Sequence, residues 1–329
     1  MTAREHINEY FNSRAFMMLS AMALVAMAAV ALTMGIQPIV AEDTGTFFSF
    51  KGALFKPGPL SATINLMCLL AIGGITLGLN KVFTFVRSTT RLFTSAFFLL
   101  QLANPHGLVS LNPGTVLCLV TAMATLPLFA SFQDRHAQRN IFLIFALVSA
   151  GTMFHYGFLM LIPAFLLGFL NMGVLNLKGL LAMLFGLVTP FWIVMGLRIA
   201  SPADFRPPHI QGIWALDMTG TSNAVLILAA VVAITGIVLA VMNLMTIMNY
   251  RMQTRAYNAF FVLTLLIAVI AMCVNYRDVS VLLPLLGLMV SIQVAHAQTL
   301  NGSRAHRYVF VLLFIAGCLV SGTINLMML

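Results

Sequence analysis

Runs of about 20 apolar residues, each long enough to cross a hydrocarbon layer of about 30 Å as a helix, follow one another through nearly the whole chain. Inside lipid a backbone must satisfy its own hydrogen bonds, so such runs fold as helices. The expected fold is all-α, a polytopic transmembrane helix bundle that forms one integral-membrane domain over residues 1–329, with no separate soluble domain. Composition agrees: 61% of the residues are hydrophobic, 8% are charged and the mean hydropathy is +1.01. A water-facing surface needs roughly three times that charge.

Eleven runs are read as helices, at 15–36, 59–79, 92–103, 114–132, 140–155, 156–176, 179–200, 223–248, 259–274, 279–297 and 308–329. The first is too long for the apolar region of a cleaved leader and is taken as a retained span. The third, about 18 Å of helix, falls short of a full crossing, so it either begins earlier, at Phe83, or is re-entrant. The uncharged stretch 140–176 is divided at Phe154-His155-Tyr156-Gly157, where glycine frees the backbone and aromatic rings favour the interface.

Charge tests this division independently. With the N-terminus cytoplasmic and the C-terminus periplasmic, inner segments receive twelve Lys and Arg and outer segments five (Lys51, Lys56, Arg198, Arg206 and Arg277). That asymmetry follows the positive-inside rule, and it also explains the net charge of +9 without nucleic acid as a partner. Cys68, Cys118, Cys273 and Cys318 lie inside apolar runs without metal-ligand spacing and read as packing residues. The pentapeptide TINLM occurs at 63–67 and 323–327 and reads as coincidence in a chain this rich in Leu and Met.

No Asp, Glu, Lys or Arg lies near the middle of any run, which counts against an ion-coupled transporter. P-loop, dinucleotide-binding, zinc-protease and serine-hydrolase motifs are also missing from the sequence. Asn65, Gln101, Asn171 and Asn243 are expected to bond between helices, and Thr189-Pro190 to kink one. Chemistry, where there is any, is expected on the outer face. Glu42 and Asp43, adjacent in the first outer loop, suit a general base or the ligands of a divalent metal ion. Arg206 and Arg277 suit the clamping of a pyrophosphate, and His209 suits a proton shuttle. His106, His155 and Asp278 complete the outer polar set, with a turn at NPHG, an interfacial aromatic-like role for His155 and a local ion pair of Arg277 with Asp278 as the structural alternatives.

The basic loop after Asn80, the segment LANPHGLVSLNPGTVLCLV, the turn DRHAQRN, the stretch GTMFHY and the run LFGLVTPF at 184–191 together resemble a family of Bacteroidota polytopic inner-membrane proteins, over residues 60–200. The resemblance implies an inner-membrane location and brings no activity with it. In architecture the chain is also distantly similar to polyprenyl-linked glycosyltransferases and polysaccharide polymerases, with Glu42 and Asp43 at the place of that class's first-loop acid. That similarity implies a transferase or polymerase acting on lipid-linked sugars in envelope glycan synthesis. The first outer loop is short for that class, there is no large outer domain, and the second-loop acid pattern is missing. The alternative is a scaffold subunit of an envelope biogenesis or secretion complex, with Gly73 and Gly74 as small positions that a membrane-protein partner would contact. A transporter is the third reading.

Overall fold

The computed structural model describes residues 10–38, 45–48, 56–86, 91–208, 210–215, 222–247, 250–299, 317–318 and 320–322. These form helices and their connections: α1 Arg14–Thr33, α2 Pro59–Phe83, α3 Leu92–Leu102, α4 Pro113–Ala130, α5 Gln138–Phe154, α6 Leu161–Asn171, α7 Leu177–Gly196, α8 Ser222–Ile247, α9 Met252–Val274 and α10 Val279–Thr299. Among the described residues seven helices are long and apolar enough to cross a membrane, namely α1, α2, α4, α7, α8, α9 and α10. The protein is a multi-pass membrane protein whose spans imply a lipid bilayer as surroundings. Of the run 308–329, only 317–318 and 320–322 fall within the described residues, and they are helical.

Helix starts are set by local chemistry. Ser13 Oγ accepts from the Phe16 amide at 3.1 Å, and Asn112 and Asn176 cap α4 and α7 by accepting from Gly114 and Gly179 at 2.8 Å each. Gly173, at φ 70°, supplies the left-handed residue that ends α6.

Hydrogen bonds between connections sort the helix ends into two groups. At one end the Gln133 amide donates to the Met172 carbonyl, Asn176 Nδ2 to the Arg135 carbonyl and Asn171 Nδ2 to the Ala256 carbonyl, so the α4–α5 and α6–α7 links and the start of α9 lie together. Lys81, Arg135, Arg139, Lys178, Arg251 and Arg255 gather there, and it is called the Arg135 end. The α3–α4, α5–α6, α7–α8 and α9–α10 links gather at the opposite, His155 end. This is the grouping that the division at FHYG requires: α5 stops at Phe154 and a 3-10 turn, Tyr156–Met160, leads into α6.

Helix α10 is the axis. It packs against α3, α4, α8 and α9, and every residue from Asp278 to His296 is buried. The third run is settled by its neighbours. Phe83 is the last residue of α2, so α3 begins at Leu92; its 11 residues, all buried, give about 16 Å of helix. The rest of that crossing is irregular chain, residues 103–112, most of it buried inside protein, which is where non-helical backbone is tolerated at membrane depth. Gly73 also lies inside: a Cβ there would stand 2.6 Å from the Phe98 ring of α3, whereas Gly74 faces open space. A partner contact at Gly73 is therefore ruled out, because its surroundings are the protein's own core. At Pro190 the helix α7 runs on to Gly196 without a break.

A candidate functional site at the His155 end

Proline places the first part of this site. Pro284 has no amide hydrogen, so the carbonyl of Ser280, four residues earlier in α10, loses its intrahelical partner. Asn112 Nδ2 supplies one at 3.3 Å, while Asn112 Oδ1 caps α4. The two helices come this close because residue 114 is glycine, where a Cβ would fall 2.1 Å from the Val281 carbonyl oxygen. Buried side chains of α2 hold the irregular chain 103–112 from the other side. Asn65 Nδ2 donates to the Gly107 carbonyl at 2.9 Å, and Ser61 Oγ accepts from the Leu111 amide at 2.8 Å. His106 Nδ1 lies 2.9 Å from the Gln37 carbonyl, which can only accept, so Nδ1 carries the proton.

His155 closes the layer. Its Nδ1 accepts from the Gly157 amide at 2.9 Å, so the neutral ring carries its hydrogen on Nε2, which lies 3.8 Å from Asp278 Oδ1. The two residues are 1% and 4% exposed, and burial lowers the His155 pKa to about 4. Nδ1 is thus occupied and Nε2 faces the Asp278 carboxylate, which makes this pair a buried clasp between the α5–α6 turn and the start of α10.

Two further segments lie over the clasp. Residues 45–48 run along the end of α5, where Thr46 and Phe48 amides donate to the carbonyls of Thr152 and Met153 at 3.2 and 2.9 Å. A Cβ at Gly45 would sit 2.1 Å from the Met153 carbonyl oxygen, so this approach needs glycine. Phe48 stacks on Phe154 at 5.2 Å, and Phe47 meets Phe191 and Phe205 edge-on at 5.9 and 6.1 Å. The long connection after α7 joins them: the Arg206 amide donates to the Thr46 carbonyl at 3.0 Å, and the Tyr156 hydroxyl donates to the Arg206 carbonyl. Further along, the Gln211 amide donates to Asn275 Oδ1 at 3.4 Å and its carbonyl accepts from the Tyr276 amide at 3.0 Å.

Arg206 and Arg277 are therefore carried to one end by different segments, and both are exposed. Asp204 is turned to the Ser201 amide, from which it accepts at 2.8 Å, and Asp278 is turned inward to His155. Glu42, Asp43 and His209 lie outside the described residues. Among the described residues no group of three or more His, Cys, Asp or Glu is placed to hold a metal ion. Trp214, in a short 3-10 turn, is 81% exposed, as an interfacial anchor would be.

Towards the Arg135 end lies a polar group that the sequence shows only in part. Asn243 Nδ2 donates to the Gln293 carbonyl at 2.8 Å and to Gln293 Oε1 at 3.0 Å, and Gln293 Nε2 donates to Asn258 Oδ1 at 3.1 Å. Asn243 was expected to bond between helices. Gln293 and Asn258 carry the same signal, a single amide in an apolar run. Comparison with known proteins finds no matching family model, no matching curated protein and no matching solved structure.

Proposed function

We propose that the His155 end is the working face of this membrane protein and lies on the outer side of a bacterial inner membrane, where the protein acts as a transferase or polymerase on lipid-linked sugars. The observation that carries this reading is the convergence of three connections, 45–48, 201–215 and 275–278, over the buried His155–Asp278 clasp. They assemble a rigid, aromatic-rich rim with Arg206 and Arg277 exposed on it, in keeping with binding of an anionic lipid head at an interface. The gathering of basic residues at the Arg135 end supports that sidedness. Similarity to the Bacteroidota membrane family and to the polyprenyl-linked transferases, proposed from the motifs quoted above, points the same way.

In this reading Glu42 and Asp43 supply the base or hold a divalent ion, Arg206 and Arg277 clamp the pyrophosphate, and His209 moves the proton. Alanine at both Glu42 and Asp43 is expected to abolish envelope glycan synthesis in a strain that depends on this gene, with membrane level and melting temperature unchanged. Glycan made at the normal rate by that variant removes the catalytic reading. A second reading is favoured by the enclosure of His155 and Asp278, which buries both away from any substrate: a scaffold subunit of an envelope complex. It predicts a stoichiometric protein partner in crosslinked native membranes and tolerance of the same double substitution.

A further inference from the structure

We infer that the crevice between α8 and α9 holds one acyl chain of an anionic glycerophospholipid from the leaflet at the His155 end. The crevice measures about 260 Å³ and is lined almost entirely by apolar side chains. Its origin is plain in the sequence: α8 presents Ala229, Ala230 and Ala233 where larger residues would fill the gap to Val269 and Cys273 of α9. From Leu226 to Ala233 the crevice runs about 10 Å along α8, within the first half of that helix counted from the His155 end. It therefore lies within the leaflet at the His155 end.

Its flanks identify what it opens to. Ile227, Val231 and Ile234 of α8 and Ile270 of α9 are exposed on the outside of membrane-spanning helices, where the surrounding medium is hydrocarbon. At the top, Ile213 and Tyr276 close the crevice, and Gln211 fastens that roof to Asn275 and Tyr276. Arg277, exposed and next in sequence to Tyr276, puts a cation at headgroup level, which complements a phosphodiester with net negative charge. An apolar slot within one leaflet and beneath a cation suits an anionic phospholipid, and a single narrow slot admits part of one of its chains. The assignment does not require sugar transfer; it shares Arg277 with the pyrophosphate clamp proposed above, and the crevice variants leave Arg277 in place.

The test is native mass spectrometry of the full chain in detergent, titrated with dioleoyl phosphatidylglycerol or dioleoyl phosphatidylcholine. Wild type is expected to keep one phosphatidylglycerol more than Ala230→Phe, which fills the slot from an exposed position and leaves the core alone. Cys273→Phe, entering from the opposite wall, should lose the same lipid, and melting temperature checks that each variant is folded. Preference for phosphatidylglycerol over phosphatidylcholine should be roughly threefold and vanish in Arg277→Gln, the size of an exposed charge contact. Unchanged occupancy in both crevice variants overturns the site. Displacement of the phospholipid by an equal concentration of undecaprenyl phosphate overturns the choice of occupant and gives the slot to a prenyl chain.

Discussion

Helices α7 and α10 have the same mean hydropathy in their most apolar windows, 1.9, yet that window is 17% buried in α7 and 100% buried in α10. In water such a pair would be told apart by apolar content, because the driving force is removal of apolar surface from solvent. In a bilayer lipid is as apolar as leucine, so apolar content does not decide which helix is inside. The polar residues do. Helix α10 carries buried Ser280, Ser291, Gln293 and His296, each of which needs protein around it, while α7 turns Leu184, Phe185, Val188 and Trp192 outward. The inward stripe of α7 is narrow, Gly179, Met183 and Gly186.

The sharpest way to break the comparison is to shorten one side chain on each helix. Leu286, fully buried in α10, is expected to cost about 2–5 kcal/mol of unfolding free energy when changed to alanine, because a cavity is left in a packed interior. Phe185→Ala on α7 should stay within about 0.5 kcal/mol, since the ring is 65% exposed. Thermal or denaturant unfolding in detergent reads both, and equal losses would mean that α7 is covered by protein in the membrane. Next in size is Gly186→Leu. A Cβ at that position already lies 2.7 Å from the Phe142 carbonyl oxygen of α5, so a branched side chain forces the helices apart at about 1–3 kcal/mol. Gly74→Leu, facing open space, is its control and should be near neutral.

What the sequence made legible follows from the same contrast. Apolar runs announce helices wherever they occur, so α1, α2, α4 and α7 to α10 could be read directly, and the FHYG turn could be placed because charge parity depended on it. The short α3 was ambiguous because the chain completing its crossing, 103–112, reads in sequence as an outer loop, and the groups that hold it inside the protein, Ser61 and Asn65 of α2, the Gln37 carbonyl and the Ser280 carbonyl of α10, are far away along the chain. Equally hidden was the clasp. His155 and Asp278 are both visible as outer polar residues, but nothing local joins a histidine after α5 to an aspartate before α10. The close approaches at Gly45 and Gly114 are equally silent, since a glycine in sequence does not say which backbone comes near it.

The clasp carries the third prediction. Burial lowers the His155 pKa from about 6.5 to about 4, so in the folded protein the ring stays neutral where the unfolded chain would take up a proton. Its contribution to stability is therefore complete above about pH 6.5 and is lost as the pH falls towards 4. Melting temperature measured across that window should fall for wild type and flatten in His155→Gln. A wild-type curve that shows no dependence there would mean that water reaches the ring and that the connections over it are loose.

The smallest effect expected lies in the amide chain between α8, α9 and α10, and its direction can be deduced. The Gln293 carbonyl can only accept, so the amide of Asn243 must present Nδ2 to it, and Gln293 Oε1 accepts from the same group. Gln293 Nε2 is then left to donate, Asn258 Oδ1 must accept, and Asn258 Nδ2 points where no described residue accepts from it. Asn243→Leu removes two hydrogen bonds at once and should cost about 0.6 kcal/mol or somewhat more, the usual size of such bonds between membrane helices. Asn258→Leu removes one bond together with a buried donor that has no acceptor, so its net cost should be smaller still. The order of the two costs carries the information, and a double-mutant cycle between positions 243 and 258 measures it. If Asn258→Leu proves the costlier change, its amide holds something that the described residues do not supply, and the interior of the bundle is wetter at the Arg135 end than the enclosure of α10 implies.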